Sequence, residues 1–493
     1  MVSGRRDDFE LSRLILDANQ DFARRVRYCP DRKTNVWRMY YCDEETNCWS
    51  RESEPFVEMK IRKCVNRLPQ STLTSKETFY VKSYRGIKKI LQAVGRILID
   101  TRFDERLDAN LTNFALENLR VTVDGAHAAI LPGDFIKTTA GWRYDEDLAA
   151  LHRGDVALFF EQLLPVPEER KAVLAFFASS LSGVRKSKSF LALTDQRAGY
   201  NGKSALVNLM ARFFGIYSEF NTRFVCAGSF QKDRDAHDAG LEPYRNTRLL
   251  VAEELKHNMN LDVALLKKLA GGSDVTVQGR RFGLAEHFSF TWRANIVLVF
   301  NEGDCPRFDG DAALLQRMLV APMRSKFVSE LPGDPEEHTF IADKNIAQQF
   351  PLWLPALLDV LRENYDPDAL DSPPLSMRQW GQSVAADANP LGSWMEERVL
   401  VTGDKKDHVI LSAFVTLYRA DDQLRRRMDE DCFKRFAKAY LKTVALSFKD
   451  TDNIINAHGS RSNARHVAKG VLLLQLIQLN NLQLIQLNTL EHS

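Results

Sequence analysis

No stretch of this 493-residue chain is apolar for long enough to span a bilayer, so helical membrane insertion is not expected. The N-terminus, MVSGRRDDFELSRL, carries charges where a secretory leader needs an apolar run. Cysteine is scarce. Cys29, Cys42, Cys48, Cys64, Cys226, Cys305 and Cys432 make an odd set without a C-x-x-C pair. That spacing argues against a disulfide scaffold or a zinc site and fits a reducing compartment. Net charge is nearly absent as well: 67 Lys and Arg against 65 Asp and Glu leave +2. No global field marks a nucleic-acid binder, so any such surface must come from local clustering. What remains is a soluble, intracellular protein, long enough for about three domains of roughly 150 residues.

Four segments are expected. Residues 1–150 mix short strands, turns and charged helices, an α+β domain. NVWRMYYCDEETNCWSRES reads as a hairpin, and LRVTVDGAHAAILPGDFI as another that turns at Asp124-Gly125. Residues 151–345 alternate apolar strands with amphipathic helices, which implies a mostly parallel α/β sheet. SFLALT, RLLVAEE and NIVLVFN are its strands; KSALVNLMARFFG, LDVALLKKLAGG and AALLQRMLV are its helices. Residues 346–470 read as mainly helical with basic clusters, and 471–493 as a low-complexity tail that contains LQLIQLN twice.

The chemistry gathers where ligands bind in such sheets, at the C-terminal ends of the strands. After the first strand comes RAGYNGKS, residues 197–204. A triphosphate needs inward-facing backbone N–H groups, a helix N-terminus, one lysine and a hydroxyl for Mg²⁺. Gly199 and Gly202 permit the backbone angles, Tyr200 and Asn201 complete the loop, Lys203 supplies charge and Ser204 the metal ligand. Arg197 stands where the phosphate-loop pattern wants glycine. The second strand ends in Glu253-Glu254, one to serve the Mg²⁺ side and one to orient water; their roles are not separable here. The third ends in Asn301, whose amide suits a γ-phosphate or the attacking water. Arg317 follows on an expected helix, placed to reach a neighbouring subunit's site. Lys267 and Lys268, then Arg280 and Arg281, form a basic hairpin region suited to a nucleic-acid backbone.

This order of parts resembles the superfamily 3 helicases of large DNA viruses, phages and plasmids, specifically the poxvirus-type primase-helicase ATPase. The likeness runs over roughly residues 35–465. Its phosphate loop, G-x-G-x-N-G-K-S, is matched at Gly199, Asn201, Gly202, Lys203 and Ser204, and its strand-ending glutamate at Glu254. LLKKLAGGSDVTVQGRR is similar to its DNA-contacting motif with one extra residue near Ser273, and Leu119 stands where a glycine is usual. The resemblance implies an AAA+ related P-loop ATPase core, preceded by an α+β domain and followed by a winged-helix-like region. It implies ATP and Mg²⁺, a hexameric ring, and single-stranded and forked DNA as partners. It also implies a separate primase or replication factors and a viral role in the host cytoplasm or nucleus. No catalytic primase is expected, since residues 1–150 are too short and lack its paired acids. Two other readings stay open: a packaging or remodelling motor on nucleic acid, and a DNA-binding assembly protein whose ATPase has decayed.

Overall fold

The computed structural model describes residues 6–30, 37–122, 127–195, 199–227, 240–257, 259–272, 275–280, 287–301, 304–308, 312–366, 368–388, 392, 394–395, 397–404, 408–422, 425, 430–445, 447–455, 461–469 and 471–473. Arg197, Ser273, Arg281, the Asp124-Gly125 turn and both LQLIQLN copies lie outside them. The chain forms two compact units, one of residues 1–304 with 316–380, the other of 305–315 with 381–493.

The first unit opens with helices α1 (Asp8–Ala18) and α2 (Gln20–Arg25) and strands β1 (Val26–Pro30), β2 (Trp37–Cys42) and β3 (Trp49–Glu52). β1, β2 and β3 form an antiparallel sheet, so the expected first hairpin is present. Three helices follow: α3 (Glu54–Arg67), α4 (Ser75–Lys82) and α5 (Tyr84–Ile97). α5 buries Ile87, Ile90, Leu91 and Val94, spaced to line one face, against Leu11, Ile15, Val57 and Ile61. α6 (Phe103–Arg106) leads to the short pair β4 (Phe114–Ala115) and β5 (Arg120–Val121). α7 (Glu146–Leu163) and α8 (Pro167–Ser179) are one apolar run cut by Pro165 and Pro167, with Pro167 at the first helical position.

The core of this unit is a five-stranded parallel sheet, a mixed α/β architecture. Its strands are β6 (Phe190–Asp195), β7 (Ser218–Phe220), β8 (Leu249–Leu255), β11 (Asn295–Phe300) and β12 (Met318–Met323). The order across the sheet is β12-β6-β11-β8-β7. α9 (Lys203–Phe214) follows β6 and stops at Gly215, whose Cβ would fall 1.9 Å from the carbonyl oxygen of Ala140. α10 (Val263–Leu269) and the hairpin of β9 (Thr276–Arg280) and β10 (His287–Thr291) lie between β8 and β11.

One sequence expectation fails here. AALLQRMLV is not a helix: α11 spans only Ala312–Leu315, and the next apolar residues are β12. All six residues of β12 are buried and pair with β6 from Met318↔Phe190 to Met323↔Asp195. Burial on both faces removes the alternation that distinguishes a strand from a helix in sequence.

The sheet is tied at the strand entrances by buried arginines. Arg185 donates to Asn295 Oδ1 at 2.9 Å and to the carbonyls of Leu269 and Ser189. Arg248, just before β8, donates to the carbonyls of Leu111 and Asn113. Burial pushes both guanidinium groups down to about 10. After β12 come β13 (Lys326–Val328) and β14 (Thr339–Ile341), then α12 (Ile346–Glu363), which packs Phe350, Trp353 and Leu357 into the core beside Phe159. Arg324 chelates Glu169, a carboxylate 1% exposed, through two hydrogen bonds.

α13 (Leu375–Ala388) comes next in the chain. The second unit holds β15 (Val399–Val401), β16 (His408–Ile410), α14 (Leu411–Ala420), α15 (Glu430–Val444), β17 (Ser447–Ile455), β18 (Arg461–Lys469) and β19 (Val471–Leu473). Its core joins Trp394, Phe414, Phe433 and Leu441. The sequence suggests a mainly helical region, but β16, β18 and β17 make an antiparallel sheet. SFKDTDNII and RSNARHVAK are polar and charged over most of their length, so neither shows the apolar run by which a strand is read.

Candidate functional site

The phosphate loop leaves β6 at Asp195 and enters α9 at Lys203. Gly199, Tyr200 and Gly202 have φ of +82°, +57° and +81°. Left-handed residues in such a turn point successive N–H groups to one side, forming an anion-binding concavity. Gly202 answers to its positive φ, and a Cβ there would also press on the tip of the Leu163 side chain, 2.3 Å away. Among the described residues nothing stands within 4 Å of where a Cβ on Gly199 would be, which leaves space beside its backbone. Gly202 at the N-cap of α9 has no side chain to cap it, and Lys203 N–H reaches Asn201 Oδ1 only at 3.5 Å. Ser204, in its first turn, is exposed.

Lys203 is 7% exposed and points back at Asp195, a fully buried carboxylate. Its ammonium group donates to Asp195 Oδ2, and Asn201 Nδ2 donates to the same oxygen at 2.6 Å. Asp195 therefore holds the loop's cation and amide together. Sequence reasoning missed it. The available sign was an acid closing an apolar strand eight residues before Lys203. The Tyr200 carbonyl accepts from Phe327 N–H at 2.8 Å, which pins the loop's other side to β13.

Glu253 and Glu254 sit where β8 breaks register with β11. Leu298 pairs with Ala252 and Phe300 with Leu255, so two glutamates oppose the single residue Val299. This is a β-bulge, and Glu254 takes φ +53° in it. The bulge turns successive side chains away from strict alternation: Glu254 is exposed while Glu253 is half-buried. Thr222 Oγ1 donates to the Glu253 carbonyl at 2.7 Å. Burial, and then the charge of Glu254, raise the Glu253 carboxyl above its ordinary 4.5.

That shift has a sign in stability. The folded chain holds the Glu253 proton more tightly than the unfolded one. Its contribution is full below 4.5 and is lost as pH rises through the raised value. Glu253→Gln should thus leave stability unchanged in acid and increase it near neutral pH, as measured by denaturant unfolding at both ends. Equal stability of variant and parent at neutral pH would contradict this account.

Asn301 follows β11 directly and is exposed. Since β11 lies between β6 and β8, Asn301 stands between the lysine strand and the glutamate strand. Neighbouring strands are about 4.8 Å apart, so β6 and β8 are separated by roughly 10 Å. That gap suits a terminal phosphate with a metal and a water. One end of the sheet thus collects Asp195, Gly199, Tyr200, Asn201, Gly202, Lys203, Ser204, Glu253, Glu254 and Asn301.

Arg317 and Lys267 lie at the other end. Arg317 is not on a helix; it occupies the turn between α11 and β12, because the helix is one turn long. Its carbonyl accepts from Phe190 N–H, which places it at the entrance of β6, a strand's length from Lys203. Its guanidinium donates to the Lys267 carbonyl at 2.5 Å. Lys267 and Lys268 close the last turn of α10, and Arg280 ends β9 opposite His287.

No protein-family model and no curated protein sequence matches the chain. Among solved structures, two apo structures of the NrS-1 C-terminal region align over 94% of this chain and all of theirs. Both have a TM-score of 0.43, with identities of 11% and 10%. The X-ray structure of JCV helicase aligns over 64% of this chain and 77% of its own, at TM-score 0.26 and 13% identity. At these scores the likeness carries no functional weight, and the site has to be read from its own residues. No helix among the described residues is long and apolar enough to cross a membrane.

Proposed function

We propose that this chain is an ATP-dependent DNA helicase with an AAA+ related core. It would be a ring-forming replicative motor that couples ATP hydrolysis to movement on single-stranded DNA. The observation that carries the reading is the convergence of three strand ends: a glycine-built loop with Lys203, a bulged glutamate pair, and Asn301 between them.

ATP fits these residues. The left-handed loop and the uncapped start of α9 offer N–H donors to the β- and γ-phosphates, and Gly199 leaves room for their approach. Lys203 exchanges Asp195 for a phosphate oxygen. Mg²⁺ would be held by Ser204 and Glu253, and when bound it neutralises phosphate charge. Glu254 orients the attacking water and accepts its proton, and Asn301 donates to the γ-phosphate or the water.

Arg317 belongs to a neighbour's site in this reading, since it stands a strand's length from its own. Its bond to the Lys267 carbonyl gives a route by which the subunit boundary acts on the basic α10–β9 region, where Lys267, Lys268, Arg280 and Arg281 meet DNA. The ring would be a hexamer closed by head-to-tail contacts.

The test is ATP turnover with and without single-stranded DNA, on protein separated by size, followed by unwinding of a forked duplex. Stimulation confined to a ring-sized fraction, with unwinding, is expected. Stimulation without unwinding would favour a packaging or remodelling motor instead. Turnover that neither DNA nor Lys203→Ala changes would refute the enzyme reading and leave an assembly protein.

A further inference from the structure

Charge is far from even along this chain. Between Lys60 and Arg96 stand ten basic side chains and one carboxylate, Glu77, although the whole chain carries only +2. Glu77 is 3% exposed and committed to Arg6 and Thr74. Four of the ten cations find carboxylates on neighbouring elements: Lys60 with Glu44, Arg62 with Glu58, Lys88 with Glu54, and Lys89 with Asp8. Lys63, Arg67, Lys76, Lys82, Arg85 and Arg96 are exposed and have no ion pair among the described residues.

Two aromatic rings stand in this field. Phe79 is 81% exposed and Tyr84 75%. Phe79 meets no other ring among the described residues, and Tyr84 meets only the Lys88 ammonium, 5.8 Å from its centroid. Rings of this size normally supply core packing. These two flank the bend where α4 becomes α5. Ser83 donates its N–H to the Phe79 and Tyr80 carbonyls and caps α5 through its hydroxyl, 3.0 Å from Gly86 N. A Cβ at Gly86 would fall 1.9 Å from the Tyr80 carbonyl oxygen, so only glycine lets the helices meet this closely.

We propose that the α4–α5 corner is a second nucleic-acid site, one that takes a single strand. Lys76, Lys82 and Arg85 neutralise phosphates, and Phe79 and Tyr84 stack on bases. A single strand is the polyanion that also offers unpaired ring faces, and stacking tolerates any base. An acidic protein segment or an anionic lipid surface would use the cations but not require flat partners for both rings. The site shares no residue with the proposed motor site and does not depend on it.

The test uses the full chain carrying Lys203→Ala/Asp195→Asn, without nucleotide, and a fluorescent thymidine oligonucleotide read by anisotropy. Binding is expected, and tighter than to a duplex of equal length. Phe79→Ala and Tyr84→Ala should each weaken it about tenfold, the factor that corresponds to ~1.4 kcal/mol. Lys76→Gln/Lys82→Gln/Arg85→Gln should lower the slope of log affinity against log salt by about 2, from roughly 0.7 per lost phosphate contact. Circular dichroism and thermal melts equal to the parent's show that the variants fold. Oligonucleotide binding that both variant sets leave unchanged overturns the proposal. So does loss on charge removal with full binding by both ring variants, which would mean a polyanion held without stacking. Sedimentation with phosphatidylserine vesicles that depends on Phe79 and Tyr84, without oligonucleotide binding, overturns it in favour of a membrane. Because Lys203 is already replaced, binding here survives even if the motor reading fails.

Discussion

Lys203→Ala should lower DNA-stimulated ATP turnover by about 10²–10³-fold, the cost of removing one preorganised charge from a transition state. The variant also disturbs the resting protein. Lys203 and Asp195 are both buried and paired, so removing the lysine takes the ammonium group away from a buried carboxylate. Breaking a buried pair from one side costs about 3–5 kcal/mol. A lost activity could then reflect lost structure. The double variant Lys203→Ala/Asp195→Asn separates the two, because removing both charges can be nearly neutral. It should recover the parent's denaturant midpoint and stay inactive. If it recovered turnover as well, Lys203 would have no part in the chemistry.

The glutamate bulge yields the second large effect. Glu254→Gln should reduce turnover by about 10²–10⁴-fold, the usual worth of a positioned base. Glu254→Gly should lose as much turnover yet gain stability of about 1 kcal/mol. Glu254 holds φ +53° without glycine's freedom, and such strain at a non-glycine residue costs on the order of 1–3 kcal/mol. Glycine relieves it at some entropic cost. Glu253, the neighbour outside the left-handed region, should show no such gain on replacement by glycine. Denaturant unfolding beside steady-state turnover reads both effects. A Glu254→Gly protein that is active, or less stable than its parent, would contradict this account of the bulge.

The parallel core was legible because β6, β8 and β11 each carry an apolar run closed by polar residues at the site. The loop was legible through Gly199, Gly202 and Lys203, whose types answer directly to backbone angle and charge. What escaped did so for physical reasons. β12 follows the apolar AALL with only Gln316 and Arg317 between and no turn residue, so the two read as one helix. Asp195 looks like an ordinary strand end until Lys203 folds back on it across eight residues. The bulge at Glu253-Glu254 exists only in the pairing of β8 with β11. The basic corner was in principle countable, but a whole-chain sum of +2 averages it away. Phe79 and Tyr84 become informative only when seen to be exposed.

Arg185 and Arg248 have a mechanical meaning. Each anchors a strand entrance by donating to backbone carbonyls, without a carboxylate among its hydrogen-bond partners in the described residues. Held near 10, both remain cationic at any physiological pH, so this fastening does not loosen with acidity. The sheet is then clamped at one end, like a cantilever. In the proposed nucleotide cycle, displacement would fall at the free end, in the loop around Lys203 and the bulge at Glu254. Arg317, bonded to the Lys267 carbonyl, belongs to the clamped end and would carry such a displacement toward α10.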